Sequence, residues 1–113
     1  MITAGVDCGS KNIKVIILRD NDILSKSLVL AGIDTRVSTE ESYKKALKGA
    51  GISQVQVEKV ISTGAGKTEC KFADENVTDV GAAARGIIQL FPEVRTVIDV
   101  GAEEGRAIRV NTA

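Results

Sequence analysis

The sequence is poor in several residue types that define particular protein classes. Its 113 residues include no histidine, no tryptophan and only two cysteines, Cys8 and Cys70, which lie far apart. Such a sequence lacks the ligands of a zinc site and the cysteine content of a secreted disulfide scaffold. Because only three residues are aromatic, we expect a core built mainly from Val, Ile, Leu and Ala.

Charge and hydropathy exclude further classes. Fifteen basic residues balance fifteen acidic ones and form no basic block, so the sequence predicts neither a nucleic-acid-binding surface nor a polybasic membrane patch. No run approaches the ~18 apolar residues that a membrane-spanning helix needs, and no signal peptide is visible. We therefore expect a reduced, cytoplasmic, soluble domain without nucleic-acid or membrane partners.

The apolar pattern predicts an α/β fold. A run ending at Val6 and two further β-branched runs, Ile13–Arg19 and Ile23–Ala31, predict three strands in an antiparallel meander. Helices and strands then alternate, an order that is typical of the ribonuclease H-like fold rather than of a Rossmann domain. The later predicted segments are a helix capped by Ser38 or Thr39 with Gly49 and Gly51 as stop signals, a strand over Val57–Ile61, a helix from Val77 or Thr78 to Leu90, a strand over Arg95–Val100 and a last strand over Arg106–Val110.

The first candidate site is the predicted hairpin that follows the first strand. Here Gly9 permits a close approach of the backbone to a ligand, while Ser10, Lys11 and Lys14 supply a hydroxyl and two ammonium groups for phosphate oxygens. Asp7, at the end of a buried strand, is suited to hold Mg²⁺ through water molecules. The alternative is a hairpin whose Asp-x-Gly-Ser only satisfies turn geometry.

A second hairpin of the same kind is predicted near the end of the sequence. Asp99 ends an apolar strand and is followed by Gly101, Ala102 and Glu103. Together the two hairpins predict a nucleotide clamp, in which Asp7 and Asp99 face one metal ion and two turns hold one polyphosphate.

Two other features are interpreted as structural. The segment Gly64–Thr68 ends in the Gly-Lys-Thr of a P-loop, but Ile61 stands where that motif requires its first glycine. We therefore predict a glycine turn after a strand. Cys70 lies in a polar stretch and is predicted to be a surface thiol, whereas Cys8 fills a place in the first hairpin that favours a small side chain.

Several motifs resemble one family of ATPases. Asp7-x-Gly9-Ser10-x-x-x-Lys14 is similar to the opening motif of the family that energises benzoyl-CoA reductase and 2-hydroxyacyl-CoA dehydratase, and Ser62–Lys67 is similar to a glycine loop of that family. The segments Val97–Ala102 and Gly105–Arg109 resemble the delta-type ATP-binding subunit of benzoyl-CoA reductase in particular.

The resemblance implies an actin-like ATPase lobe that binds ATP and Mg²⁺ and energises electron transfer to an acyl-CoA reductase or dehydratase, as in anaerobic aromatic degradation. By matched positions, Asp7 and Asp99 would place the metal, and Glu103, which replaces a family Gln, would orient the attacking water. The phosphate or cofactor contacts would come from Asp7, Gly9, Ser10, Lys11, Lys14, Asp99, Gly101 and Ala102.

The resemblance also implies partner subunits and a second lobe. Two such subunits, identical or different, clasp a 4Fe-4S cluster in this family, and neither Cys8 nor Cys70 matches its ligands. We expect residues 1–101 to form the first lobe and residues 102–113 to begin a truncated second lobe, so that the isolated fragment is inactive. Two other hypotheses stay open: a sugar or acid kinase of the same superfamily, with Asp99 as base, and a non-catalytic lobe that binds a partner.

Overall fold

The structure, a computed structural model, describes residues 1–93, 95–100 and 105–109. These residues belong to two compact units, the first formed by Met1–Val77 and the second by Thr78–Ala113. The predicted boundary between two lobes, at residues 101 and 102, lies outside the described residues and stays a prediction.

The first unit is built on a mixed sheet of five strands in the order β3-β2-β1-β4-β5. β1 occupies the centre, with β2 antiparallel on one side and β4 parallel on the other, and β3 continues the antiparallel meander. This confirms the predicted meander that leads into parallel strands. The strands are β1 (Ile2–Cys8), β2 (Asn12–Arg19), β3 (Asp22–Leu30), β4 (Lys59–Thr63) and β5 (Glu75–Asn76).

The core lies between one face of this sheet and helix α1, Thr35–Ala50, which packs on β2 and β3. Alternate residues of β1 and β2 are buried because successive side chains of a strand point to opposite faces. Burial of each large aliphatic side chain contributes about 1.5–3 kcal/mol. The buried apolar residues that meet here are Ala4, Val6, Cys8, Ile13, Val15, Ile17, Tyr43, Ala46, Leu47, Val60 and Cys70.

The start of α1 differs from the prediction. The N-cap is Asp34, whose carboxylate accepts from the backbone N–H groups of Arg36 at 3.0 Å and Val37 at 3.4 Å. Ser38 and Thr39 instead lie inside the helix. Their hydroxyls have other partners, since Ser38 Oγ accepts from the Gly32 N–H at 2.9 Å and Thr39 Oγ1 donates to the Thr35 carbonyl at 2.7 Å.

The end of α1 and the strand after it also refine the prediction. Gly51 ends the helix in a left-handed conformation with φ of 68°, as glycine does readily, whereas Gly49 stays within the helix. β4 begins at Lys59 rather than at Val57, because the Val57 N–H donates to the Gln54 carbonyl at 3.1 Å and closes a single helical turn. The polar stretch that follows contains a short 3₁₀-helix, Lys67–Glu69, and β5.

The second unit contains helix α2, Asp79–Leu90, and an antiparallel pair of strands, β6 (Thr96–Val100) and β7 (Gly105–Arg109). The helix begins one or two residues later than predicted, because Thr78 is its N-cap and accepts from the Gly81 N–H through Oγ1 at 3.0 Å. β7 begins one residue earlier than predicted. In the part of the chain that the structure describes, neither helix has the length and apolarity that crossing a bilayer requires.

We predict that Tyr43→Phe stabilises the first unit. The Tyr43 ring stacks on Phe72 with centroids 4.4 Å apart, but its buried hydroxyl has no hydrogen-bond partner among the described residues. Removing an unpaired buried hydroxyl while keeping the ring is expected to raise the free energy of unfolding by about 1 kcal/mol. Urea denaturation measures the change, and Tyr43→Leu, which removes the stacked ring, is the destabilised control. A loss of stability in Tyr43→Phe would show that the hydroxyl is paired.

Candidate active site

Asp7 lies where three strands of the sheet meet. In the strand register, Asp7 stands opposite Lys14 of antiparallel β2 and beside Thr63 of parallel β4. β1 and β4 both finish at this edge, and the carboxyl ends of parallel strands are the usual place for a ligand in an α/β sheet. The Asp7 side chain, half-buried and directed to the face opposite α1, is therefore well placed to meet a bound group.

The hairpin between β1 and β2 is held in a tight turn. The Gly9 N–H donates to the Asn12 carbonyl at 3.0 Å, and a Cβ atom at Gly9 would lie 2.9 Å from that same oxygen. Only glycine fits such a close approach. A second bond, from the Ala31 N–H to the Lys11 carbonyl at 2.9 Å, joins the turn to the end of β3. Ser10 and Lys11 are exposed at the tip, where they can reach an anionic ligand.

The loop after β4 forms the other side of the site. Gly64 has a positive φ of 95° and lies against Asp7 and Cys8. The Gly66 N–H donates to the Cys8 carbonyl at 2.9 Å, so the loop is hydrogen-bonded to the last residue of β1. The predicted glycine turn is thus confirmed. The residues after Gly66 form only one 3₁₀ turn, Lys67–Glu69, which is too short to resemble the helix of a P-loop.

Hydrogen bonds from two hydroxyl side chains at the end of β4 hold this loop in place. Ser62, fully buried, donates its hydroxyl to the Lys67 carbonyl at 3.0 Å and also contacts the Asn76 side chain. Thr63 Oγ1 donates to the Val77 carbonyl at 2.9 Å. Hydroxyls that are paired in this way restrict a loop to one conformation.

Cys8 and Cys70 lie together on the other side of β1, under α1. Both are buried, with Cys70 only 5% exposed, so the prediction of a surface thiol at Cys70 is wrong. Cys70 follows the turn at Lys67–Glu69 and its buried thiol interacts with that of Cys8. Interaction between the two thiols lowers the pKa of Cys8 to about 7 and, together with burial, raises the pKa of Cys70. Thr39 Oγ1 lies 3.8 Å from the Cys8 sulfur.

The structure brings together five of the residues predicted to hold ligands: Asp7, Gly9, Ser10, Lys11 and Lys14. Asp99 lies on β6, in the second unit. Gly101, Ala102 and Glu103 lie outside the described residues, and their roles stay predictions.

Gly64 is a part of the candidate site that the sequence motifs did not predict. The signal that could have found it is a glycine directly after a strand that is parallel to β1, since loops at the carboxyl ends of such strands commonly line sites.

Among the described residues, no group of three or more His, Cys, Asp or Glu side chains lies close enough to form a metal centre. The Asp7 carboxylate itself suits Mg²⁺, which commonly takes one or two carboxylates together with waters and phosphate oxygens.

Comparison with known proteins identifies a family. A model described as the BadF/BadG/BcrA/BcrD ATPase family matches residues 4–113. A benzoyl-CoA reductase polypeptide of Thauera aromatica is 35% identical over 115 residues, a match that covers 96% of this chain and 40% of that protein.

Two solved structures show the same fold. Component A of (R)-2-hydroxyglutaryl-CoA dehydratase from Acidaminococcus fermentans superposes with a TM-score of 0.93 at 32% identity, over 98% of this chain and 43% of that one. The activator of 2-hydroxyisocaproyl-CoA dehydratase from Clostridium difficile, solved with bound ADPNP, gives 0.90 at 28% identity, over 99% and 42%. The predicted fold class, a ribonuclease H-like (actin-like ATPase) lobe, is confirmed. The chain spans less than half the length of these relatives.

The burial of both thiols predicts their protection from a thiol reagent. In the native protein we expect Cys8 and Cys70 to react slowly with dithionitrobenzoate and to react fully once urea unfolds the chain, because a buried sulfur is inaccessible. Val55→Cys places a thiol at a position that is 91% exposed and serves as the fast-reacting control. Mass spectrometry of the peptides identifies each labelled site. If Cys70 is labelled as fast as this control, its thiol is exposed in solution and the burial described here is wrong.

Proposed function

We propose, because this chain belongs to the BadF/BadG/BcrA/BcrD ATPase family, that it binds the phosphates of Mg²⁺-ATP at the end of β1. In the complete natural protein, ATP hydrolysis at this site would energise electron transfer to an acyl-CoA reductase or dehydratase. Of the two solved relatives described above, one is named as a component and the other as an activator of a 2-hydroxyacyl-CoA dehydratase. The activator was solved with a bound ATP analogue.

The convergence of Asp7, Lys14 and the Gly9–Lys11 turn at one edge of the sheet is the observation that carries this proposal. Polyphosphate is strongly anionic, and its oxygens accept hydrogen bonds from backbone N–H groups, hydroxyls and ammonium groups. Ser10, Lys11 and Lys14 supply such donors around one carboxylate. The arrangement therefore favours a phosphate ligand accompanied by a cation.

The residues present fit Mg²⁺. Asp7 offers hard oxygen ligands at the end of β1, beside the hydroxyl and ammonium groups of the hairpin. When bound with ATP, Mg²⁺ neutralises charge on the phosphates. Asp7 would hold the ion through water, Lys14 and Lys11 would contact phosphate oxygens, and Asp99 would supply the second carboxylate.

We assign the chain to the first lobe of an ATP-binding subunit of the benzoyl-CoA reductase type, with Gly101 and Ala102 at the phosphates and Glu103 orienting the attacking water. The complete protein would pair with a second ATP-binding subunit around a 4Fe-4S cluster and act in the cytoplasm. Cys8 and Cys70 are buried against each other, which supports cluster ligands elsewhere in the natural protein.

The proposal predicts that Asp7→Asn weakens the binding of Mg²⁺-ATP by the complete natural chain. Loss of a group that holds the metal is expected to lower affinity about 10- to 100-fold, the range found when metal-site partners are removed. Isothermal titration calorimetry with ADPNP and Mg²⁺ measures binding, and phosphate release measures hydrolysis.

Asp22→Asn is the matched control. Asp22 is exposed where β3 begins, at the end of the sheet opposite to Asp7, so this variant should bind as the wild type does. Binding that is equal in Asp7→Asn and the wild type would place the nucleotide elsewhere. Tight binding without hydrolysis in the wild type would favour the non-catalytic lobe.

A further inference from the structure

We propose that Gly64 is a positioning residue, which fixes the Asp7 carboxylate in the one place where it can serve the metal ion. This inference rests on the proposed function, because it concerns the same Mg²⁺-nucleotide site. It gives a role to a glycine loop that lacks the complete P-loop motif and that contacts β1 instead.

The backbone of Gly64 leaves no space for a side chain. A Cβ atom built on this residue would lie 2.5 Å from the Cys8 carbonyl oxygen and 2.7 Å from Asp7 Oδ1. Contacts this short do not occur between a Cβ and other heavy atoms, so a side chain at this position would have to displace both the Cys8 carbonyl and the Asp7 carboxylate. The Cys8 carbonyl belongs to the backbone of the central strand and is held by its hydrogen bonds, whereas the Asp7 carboxylate can turn away about its side-chain bonds and is displaced furthest.

The loop cannot retreat to relieve such a contact. The Gly66 N–H is bonded to the same Cys8 oxygen at 2.9 Å, and the Lys67 N–H donates to the Gly64 carbonyl at 3.1 Å. Before Gly64, the Thr63 hydroxyl is bonded to the Val77 carbonyl at 2.9 Å. Hydrogen bonds on both sides of Gly64 thus hold its backbone against the carboxylate.

Other glycines of this unit show that the contact is particular to Gly64. Gly51 also has a positive φ, 68°, but a Cβ there would meet nothing within 4 Å. Gly66 lies in the same loop, and a Cβ there would come no closer than 3.4 Å to any neighbour. A positive φ alone, or a place in the loop alone, therefore does not bring a residue against Asp7.

The test is Gly64→Ala in the complete natural chain, read as the dependence of nucleotide binding on Mg²⁺. Fluorescence anisotropy of a ribose-labelled ATP gives the affinity with Mg²⁺ and, separately, with EDTA. We expect the gain in affinity that Mg²⁺ provides to fall about 10- to 100-fold, as when a group that orients a metal ligand is altered. Binding in EDTA should change little, because the phosphate donors of the hairpin stay in place.

Two variants are matched controls. Gly51→Ala introduces a comparable left-handed strain without a new contact, and Gly66→Ala alters the same loop without reaching the carboxylate. Both should keep the Mg²⁺ dependence of the wild type. If Gly64→Ala lowers binding equally with Mg²⁺ and EDTA, or behaves as Gly51→Ala does, the positioning role is wrong.

Asp7→Glu decides the question if Gly64→Ala does not fold. A carboxylate held closely against Gly64 cannot accept one more methylene in place, so Asp7→Glu should lose the Mg²⁺ dependence as fully as Asp7→Ala does. A glutamate that restores this dependence would overturn the inference. If Asp7→Ala itself leaves Mg²⁺-dependent binding unchanged, the proposed function fails, and this outcome is distinct from failure of the role of Gly64.

Discussion

The hydrogen bonding of β1 on both of its edges is the constraint on which the rest of the first unit depends. Antiparallel pairing with β2 and parallel pairing with β4 fix which residues of β1 face α1 and which face away. Val6 and Cys8 enter the core, and Asp7 between them points to the other face. A slip of one residue would bury the carboxylate and expose the apolar side chains. The core and the candidate site are thus set by the same register.

This constraint also explains why the site is formed by segments far apart in the sequence. The hairpin at Gly9 follows β1 directly, whereas Gly64 reaches Asp7 only because β4 runs parallel to β1 and finishes at the same edge. Loops at the carboxyl ends of parallel strands converge in this way in many α/β proteins. A ligand bound between the two loops would contact groups held by one rigid sheet, which favours precise placement of a metal ion.

Local patterns predicted the parts of the fold that local interactions decide. The β-branched residues of β2 and the tight turn at Gly9 were sufficient to predict the antiparallel meander. The Asp-x-Gly-Ser pattern located the first half of the site. The cap of α1 was placed wrongly because Ser38 and Thr39 are residue types that commonly cap helices, but here the Ser38 hydroxyl binds Gly32 and the Thr39 hydroxyl binds the Thr35 carbonyl one turn back in the same helix. The burial of Cys70 and the contact of Gly64 with Asp7 also depend on strand pairing, which a single sequence pattern does not specify.

The most direct measurement of the central claim is the position of the metal ion in the nucleotide complex. Mn²⁺, which replaces Mg²⁺ at oxygen ligands, broadens the NMR signals of nearby amides when it is bound with ADPNP. The account predicts selective loss of the amide signals around Asp7, in the Gly9–Lys11 turn and at Gly64, with the signals of β3 near Asp22 unchanged. Broadening that spares the end of β1 and appears elsewhere in the first unit would contradict it.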